Sequence, residues 1–236
     1  VKLLTEEQLE ELRGFDSPTI ANAIERFNIR PCTEGFMGPE VKCILPCDKP
    51  VAGYACTAKI AALKPPTPEQ KELWMAYYEK IKETPYPTIA VLEDIDPKPI
   101  GAFWGEVQAS IHKALGCVGV ATNGGVRDLD EADKLGFKYF ASCILVSHAY
   151  VHVEEVDCTV NVCGLTVKPG DLLHADKHGV VLIPQEIAPE LAEACRKAQW
   201  SEEPVIQGCR ERFATGASIE EIKAWRQEMV RRRTEK

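Results

Sequence analysis

Apolar residues recur along this chain with two different periods, and where one gives way to the other the elements can be read. Val107, Ile111 and Leu115 stand one helical turn apart, which predicts a helix entered at Gly105 and closed by Gly116. An unbroken apolar run, Cys117 to Ala121, then predicts a strand, followed by a turn at Gly124-Gly125. Upstream, Thr5 with Gln8 three residues on, and Ser17 followed by Pro18, are start signals for two opening helices. The runs Val41 to Leu45 and Val51 to Ala61, separated by Pro46 and Pro50, read as two antiparallel strands. A proline-rich stretch from Lys64 to Pro68 leads into a helix over Glu69 to Lys82, which exits through Pro85-Tyr86-Pro87. Further strands are expected at Thr88 to Leu92, Tyr139 to Val146, Val156 to Val162, Leu172 to Ala175 and Val180 to Ile183. Lys168 to Asp171 and Asp176 to Gly179 supply turns, and the chain is helical beyond Gln185, with a capping box at Ser218 and Glu221. This order predicts an α/β fold with a central mixed sheet flanked by helices, without the strict alternation of a doubly wound sheet.

Composition narrows the class of function. With 236 residues and 45% apolar content the chain can bury a sizeable core, and the simplest organisation is one domain over 1–236, with a helical insertion near 64–87 and a helical tail from about 185. A net charge of -8 argues against nucleic-acid binding, and Arg231-Arg232-Arg233 is too short a basic run to form an electrostatic stripe. The first residues, Val1 to Gln8, read as a capped helix start rather than a signal segment, and no window is apolar enough to cross a bilayer, so no membrane association and a cytoplasmic location are expected. The ten cysteines include no Cys-x-x-Cys pair and are read as small buried hydrophobes, the residual alternative being an adventitious thiol ligand or a redox-sensitive surface pair such as Cys43 and Cys47.

The chemistry concentrates in Gly105, Glu106, Arg127 and Asp128. A helix entered at Gly105 presents its free N–H groups, those of Val107 and Gln108, to an anion. Arg127 offers a planar fork for a carboxylate, and Asp128 offers hard oxygen to a divalent cation. The competing reading makes Asp128 the N-cap of the acidic helix that begins at Leu129, and residue chemistry by itself leaves the two even. Trp74, Tyr77 and Tyr78 read as a packing face. Glu93, Asp94 and Asp96 are a second candidate cation region, for which an ordinary solvated turn is the preferred reading. His148 and His152, taken to share a strand face, are assigned structural or substrate-specificity roles.

The runs Ala102 to Glu106 and Gly119 to Asp128, with Phe15 to Ala23, Val51 to Gly53 and Asp176 to Pro184, resemble the RraA-like family, which includes 4-hydroxy-4-methyl-2-oxoglutarate aldolases. Its aldolase members carry an acid, twenty intervening residues and then Arg-Asp; here the acid is Glu106, often Asp in the family. The resemblance implies an αββα sandwich akin to the swivelling phosphohistidine domains, assembled as a homotrimer or homohexamer with its site at a subunit boundary. It also implies a magnesium- or manganese-dependent aldolase that releases pyruvate from a small 2-oxo acid, with oxaloacetate decarboxylase as a side activity. In that reading Glu106 and Arg127 are catalytic, Gly105, Glu106, Val107, Gln108 and Arg127 bind substrate, and Asp128 holds the metal. The family also contains a protein inhibitor of an RNA-degrading endonuclease, so a metal-free, partner-binding regulator is the alternative. A phosphate-binding module is disfavoured, because no glycine-rich phosphate loop followed by lysine is present.

Overall fold

The computed structural model describes residues 3–235; Val1 and Lys2, part of the expected capped start, and Lys236 lie outside the described residues. The elements are α1 (Glu6–Leu12), α2 (Ser17–Glu25), β1 (Lys42–Cys43), β2 (Val51–Ala61), α3 (Pro68–Glu83), β3 (Thr88–Asp94), β4 (Ala102–Trp104), α4 (Glu106–Ala114) and β5 (Cys117–Val126). They continue with α5 (Leu129–Leu135), β6 (Lys138–Ile144), β7 (His152–Val156), β8 (Val160–Val162), β9 (Leu165–Val167), β10 (Leu172–Asp176), β11 (Gly179–Ile183), α6 (Ala188–Arg212) and α7 (Ile219–Thr234).

The expected central mixed sheet is present, curled until it is nearly barrel-shaped. Its path runs β1-β6-β5-β3-β2-β10-β11, with β4 added to β5 and β7 to β2. The middle pairs β2–β3, β3–β5 and β5–β6 are parallel, whereas β1, β7, β10 and β11 pair antiparallel. Alternation along the strands sorts the core. From β2, Cys56, Ala58 and Ile60 join Leu92 of β3 and Val120 of β5 against α3 and α4, while Ala52 and Tyr54 pack on α1, α2 and α6. Ala55, Ile89, Val91 and Ala121 turn to the opposite face and meet Val160, Val162 and Val167 of the β8–β9 hairpin.

The helix starts follow the local chemistry. Thr5 with Gln8, Thr67 with Gln70, and Ser218 with Glu221 form capping boxes. Asp16, one residue before the expected Ser17, caps α2 by accepting the N–H of Thr19 at 2.9 Å.

Three sequence expectations are corrected. The segment around Lys42 does not pair with β2: it lies antiparallel on β6, because β2 already has β3 along one edge and β10 and β7 along the other. Gly124 and Gly125 are not a turn but the far end of β5, where a register shift against β6 absorbs them. Their missing side chains are required by the fold itself: a Cβ at Gly125 would meet Leu145 Cδ1 at 2.5 Å, and one at Gly124 would meet Asp94 at 3.2 Å. The run Val156 to Val162 is broken by Asp157, whose φ of 56° separates β7 from β8. The cysteines also divide: Cys56, Cys117 and Cys195 are buried, Cys32 is exposed, and the others are half-buried.

Candidate functional site

Strand β4 lies parallel to the end of β5, and this pairing brings the two halves of the motif together. The N–H of Arg127 donates to Trp104 O at 2.8 Å, so the residue that follows β5 is pinned beside the residue that precedes Gly105. Gly105 is extended, with φ −149°, a conformation open to any residue. Its glycine identity is a matter of space: a Cβ there would meet Asp128 Oδ2 at 2.5 Å and Arg127 Nε at 3.1 Å.

Asp128 occupies the N-cap position of α5 but makes no capping bond to that helix. Its backbone is left-handed (φ 54°, ψ 53°), a conformation costing roughly 1 kcal/mol or more outside glycine. The twist turns the carboxylate away from α5 and across to α4, where Oδ2 accepts the N–H of Glu106 at 2.9 Å. The capping role read from the sequence is thus served, but for the other helix. Arg127 Nε lies 3.8 Å from the same oxygen, too far for a hydrogen bond, and both side chains remain more than a third exposed.

Of the first N–H groups of α4, that of Glu106 is taken by Asp128 and that of Ala109 by Gly105 O. Val107 and Gln108 are left with theirs for a ligand. The Gln108 side chain is fixed, its Oε1 accepting from Tyr78 OH at 2.9 Å. Below it the buried His112 bonds Gln108 O at 2.7 Å and Tyr77 OH at 3.0 Å, and burial holds the imidazole neutral, its pKa lowered to about 3.

Gly105, Val107, Gln108, Arg127 and Asp128 line one cavity of about 320 Å³. Glu106 is exposed at its edge and does not line it. The rest of the lining was not legible as a site in the sequence. Trp74 of α3 stacks on Phe103 with ring centroids 4.8 Å apart, and both face the cavity with Ala102 and Val151. The packing face expected of α3 is real, since Tyr77 and Ile81 are buried, yet Trp74 also serves the cavity. His148 completes the lining, from an exposed loop rather than a strand. Its Nδ1 faces Ala149 O at 2.7 Å and so carries the proton, leaving Nε2 as the basic nitrogen. His152 is buried at the start of β7 and paired with Glu154 at 2.9 Å, so the two histidines are not on one face. Tyr139, fully buried beneath the motif, has a hydroxyl without a partner among the described residues and lies within the field of Asp128 and Arg127.

The second acidic region is occupied with structure. Asp96 Oδ2 accepts the N–H groups of Ala62 and Leu63, Glu93 accepts that of Asn161, and Asp94 Oδ1 accepts that of Asp96. Asp94 is the exception in energy: it is buried, its Oδ2 has no partner among the described residues, and desolvation raises its pKa to about 6.

Among the described residues no cluster of three His, Cys, Asp or Glu side chains could hold a metal. A many-ligand zinc-type centre does not fit this set. A magnesium- or manganese-type cation, which takes one or two carboxylates and fills its remaining positions with water and substrate oxygen, fits the second oxygen of Asp128.

Residues 18–182 match the RraA-like family, described as Aldolase/RraA. An uncharacterized protein of Methanocaldococcus jannaschii is 31% identical over 122 residues, 51% of this chain and 57% of that protein. A putative 4-hydroxy-4-methyl-2-oxoglutarate aldolase of Halalkalibacterium halodurans is 25% identical over 130 residues, 55% of this chain and 59% of the relative. The matched stretch therefore spans less than two thirds of either relative. Streptomyces coelicolor RraAS2, described as an unusual member of the RNase ES inhibitor RraA protein family, superposes with a TM-score of 0.68 at 21% identity, covering 86% of this chain and 97% of its own. That likeness is one of fold. No helix among the described residues is long and apolar enough to cross a membrane.

Proposed function

Because the chain belongs to the RraA-like family, we propose that it is a divalent-cation-dependent lyase that cleaves a carbon–carbon bond of a 4-hydroxy-2-oxo acid and releases pyruvate. The observation that carries this reading is the left-handed Asp128, whose carboxylate is turned off its own helix and onto the N-terminus of α4 beside Arg127.

In this reading the carboxylate of the oxo acid accepts the N–H groups of Val107 and Gln108, and the Arg127 guanidinium meets the keto oxygen. Asp128, with water, would hold magnesium or manganese, which when bound would supply Lewis-acid polarisation of that oxygen. As the bond between C3 and C4 breaks, its electron pair moves toward the keto oxygen, and Arg127 stabilises the growing charge more strongly than it does the ground-state carbonyl. Glu106, exposed at the cavity edge, takes the proton of the 4-hydroxyl by way of water and returns it to C3 of the enolate, so that pyruvate and a carbonyl product leave. No lysine lines the cavity among the described residues, so the amine of a Schiff-base route has no candidate here. Oxaloacetate decarboxylation passes through the same enolate and is expected as a side activity. We extend the reading to a cytoplasmic homotrimer or homohexamer.

The second reading, a regulator that binds a protein partner, is favoured by the fold likeness to the RNase ES inhibitor branch. Pyruvate release separates the two. It is measured from 4-hydroxy-2-oxo acids and oxaloacetate, with magnesium, with manganese and with chelator, for the wild type and Asp128→Ala. Cation-dependent release that disappears in the variant is expected. No release from any of these compounds with either cation would overturn the lyase reading in favour of the regulator.

A further inference from the structure

The cavity lining has two chemically different parts. One, the free N–H groups of α4 with Arg127, suits a carboxylate; Arg127 is the sole lysine or arginine in the lining among the described residues. The other is the indole of Trp74, the ring of Phe103 stacked on it at 12° between planes, and Val151, with His148 beside Val151. A carboxylate placed on the ring faces would lose water and meet the negative side of two π systems. An aryl or bulky alkyl group would instead stack against a slab of its own kind.

The slab is held in place before any ligand arrives. Helix α3 begins in a capping box, buries Tyr77 and Ile81 in the core, and ties itself to α4 through the Tyr78–Gln108 hydrogen bond. The apolar wall and the anion-binding helix start are thus fixed relative to each other, an arrangement that reads the two ends of one molecule.

Resting on the oxo-acid reading above, we propose that the Trp74–Phe103 wall is a distal subsite for an apolar, aromatic-sized substituent, so that the substrates are 4-hydroxy-2-oxo acids carrying a single carboxylate. Dicarboxylic oxo acids are then the weaker ligands of this chain, oxaloacetate among them, in keeping with its place as a side substrate. The sequence feature responsible is the helical insertion, because it delivers Trp74.

The test is a matched pair of unreactive ligands, 4-phenyl-2-oxobutanoate and 2-oxoglutarate, which share the oxo-acid head and differ in phenyl against carboxylate. Binding to the full chain is measured by calorimetry in magnesium-containing buffer. The phenyl compound is expected to bind about ten-fold or more tightly than 2-oxoglutarate, the scale of one aromatic group buried on an apolar wall. Trp74→Ala is expected to lose most of that advantage and leave 2-oxoglutarate nearly unchanged, while Trp74→Phe restores it. Trp74→Arg, which adds a cation at the distal end, is expected to invert the preference; it keeps the test decisive if the alanine variant folds poorly. Equal or tighter binding of 2-oxoglutarate to the wild type would overturn the apolar subsite and leave the lyase reading standing. Binding of neither compound would overturn both.

Discussion

Alanine at Gly105 is the substitution that probes the motif most directly, because the backbone there tolerates any residue and the added methyl touches little besides the two charged side chains. At φ −149° no conformational penalty arises. The new Cβ would stand 2.5 Å from Asp128 Oδ2, 3.1 Å from Arg127 Nε and 3.2 Å from Arg127 Cγ. Relief of the shortest contact moves the carboxylate on the order of 1 Å, which breaks its 2.9 Å bond to the Glu106 N–H, a bond whose net value is about 1 kcal/mol. Stability is therefore expected to fall by only about 1–2 kcal/mol, since a weaker helix start is the sole structural loss. Turnover is expected to fall by about 100-fold, the usual consequence of misplacing a reacting group by that distance. Urea denaturation and the kcat/KM of pyruvate release measure the two effects on the same preparation. Gly125→Ala is the control: its Cβ meets the half-buried Leu145 at 2.5 Å (Cδ1) and 2.8 Å (Cγ), so the packing of that side chain rather than the charged pair takes the strain and stability responds. If Gly105→Ala kept wild-type turnover and cation dependence, the Arg127–Asp128 pair would not be where the chemistry occurs. Global unfolding of Gly105→Ala alone would make the glycine a packing requirement.

Asp128→Gly removes the left-handed strain, roughly 1 kcal/mol, together with a hydrogen bond of similar value, so its melting temperature is expected near wild type while cation-dependent pyruvate release disappears; a large loss of stability would refute this. Asp94→Asn is expected to raise the urea midpoint at pH 7 by the equivalent of about 1–2 kcal/mol. The native pKa of Asp94, about 6, lies above the unfolded value, so its contribution is intact below about pH 4 and is lost as pH rises through 6. The gain should therefore vanish at pH 3.5. His174 has the opposite sign. It is buried between Ser17 Oγ at 2.9 Å and Leu12 O at 3.2 Å, and its pKa is lowered to about 4, so unfolding takes up a proton. Its contribution is complete above pH 6.5 and is lost as pH falls to 4, up to about 3 kcal/mol. Denaturation at pH 7 and pH 4.5 should show a smaller difference for His174→Gln than for wild type, and an unchanged difference would refute the assignment.

Much of this was legible in the sequence because it rests on local rules. Capping boxes at Thr5 and Ser218, Gly116 beyond the end of α4, and the apolar runs of the sheet are decided by residues within a few positions of one another. The candidate pair was legible for the same reason, since Gly105-Glu106 and Arg127-Asp128 are recognisable as short motifs. The segment around Lys42 misled because an apolar strand carries no mark of its partner; β6, almost a hundred residues later, supplies it. Gly124-Gly125 misled because small residues demanded by a neighbouring side chain look, in sequence, like those demanded by a turn.

Taken alone, the sequence determined the kinds of elements, the mixed sheet, and the presence of a helix start at Gly105 and an Arg-Asp pair, all of which follow from the conformational preferences of contiguous residues. Only the tertiary structure decided which helix Asp128 caps, because the choice depends on a left-handed backbone set by β4 lying beside β5. It alone decided that Trp74 shares a cavity with Arg127, since stacking on Phe103 joins residues whose chain positions say nothing about contact. A site wall is a surface shared by distant segments, and its chemistry exists only once packing has fixed which side chains share it.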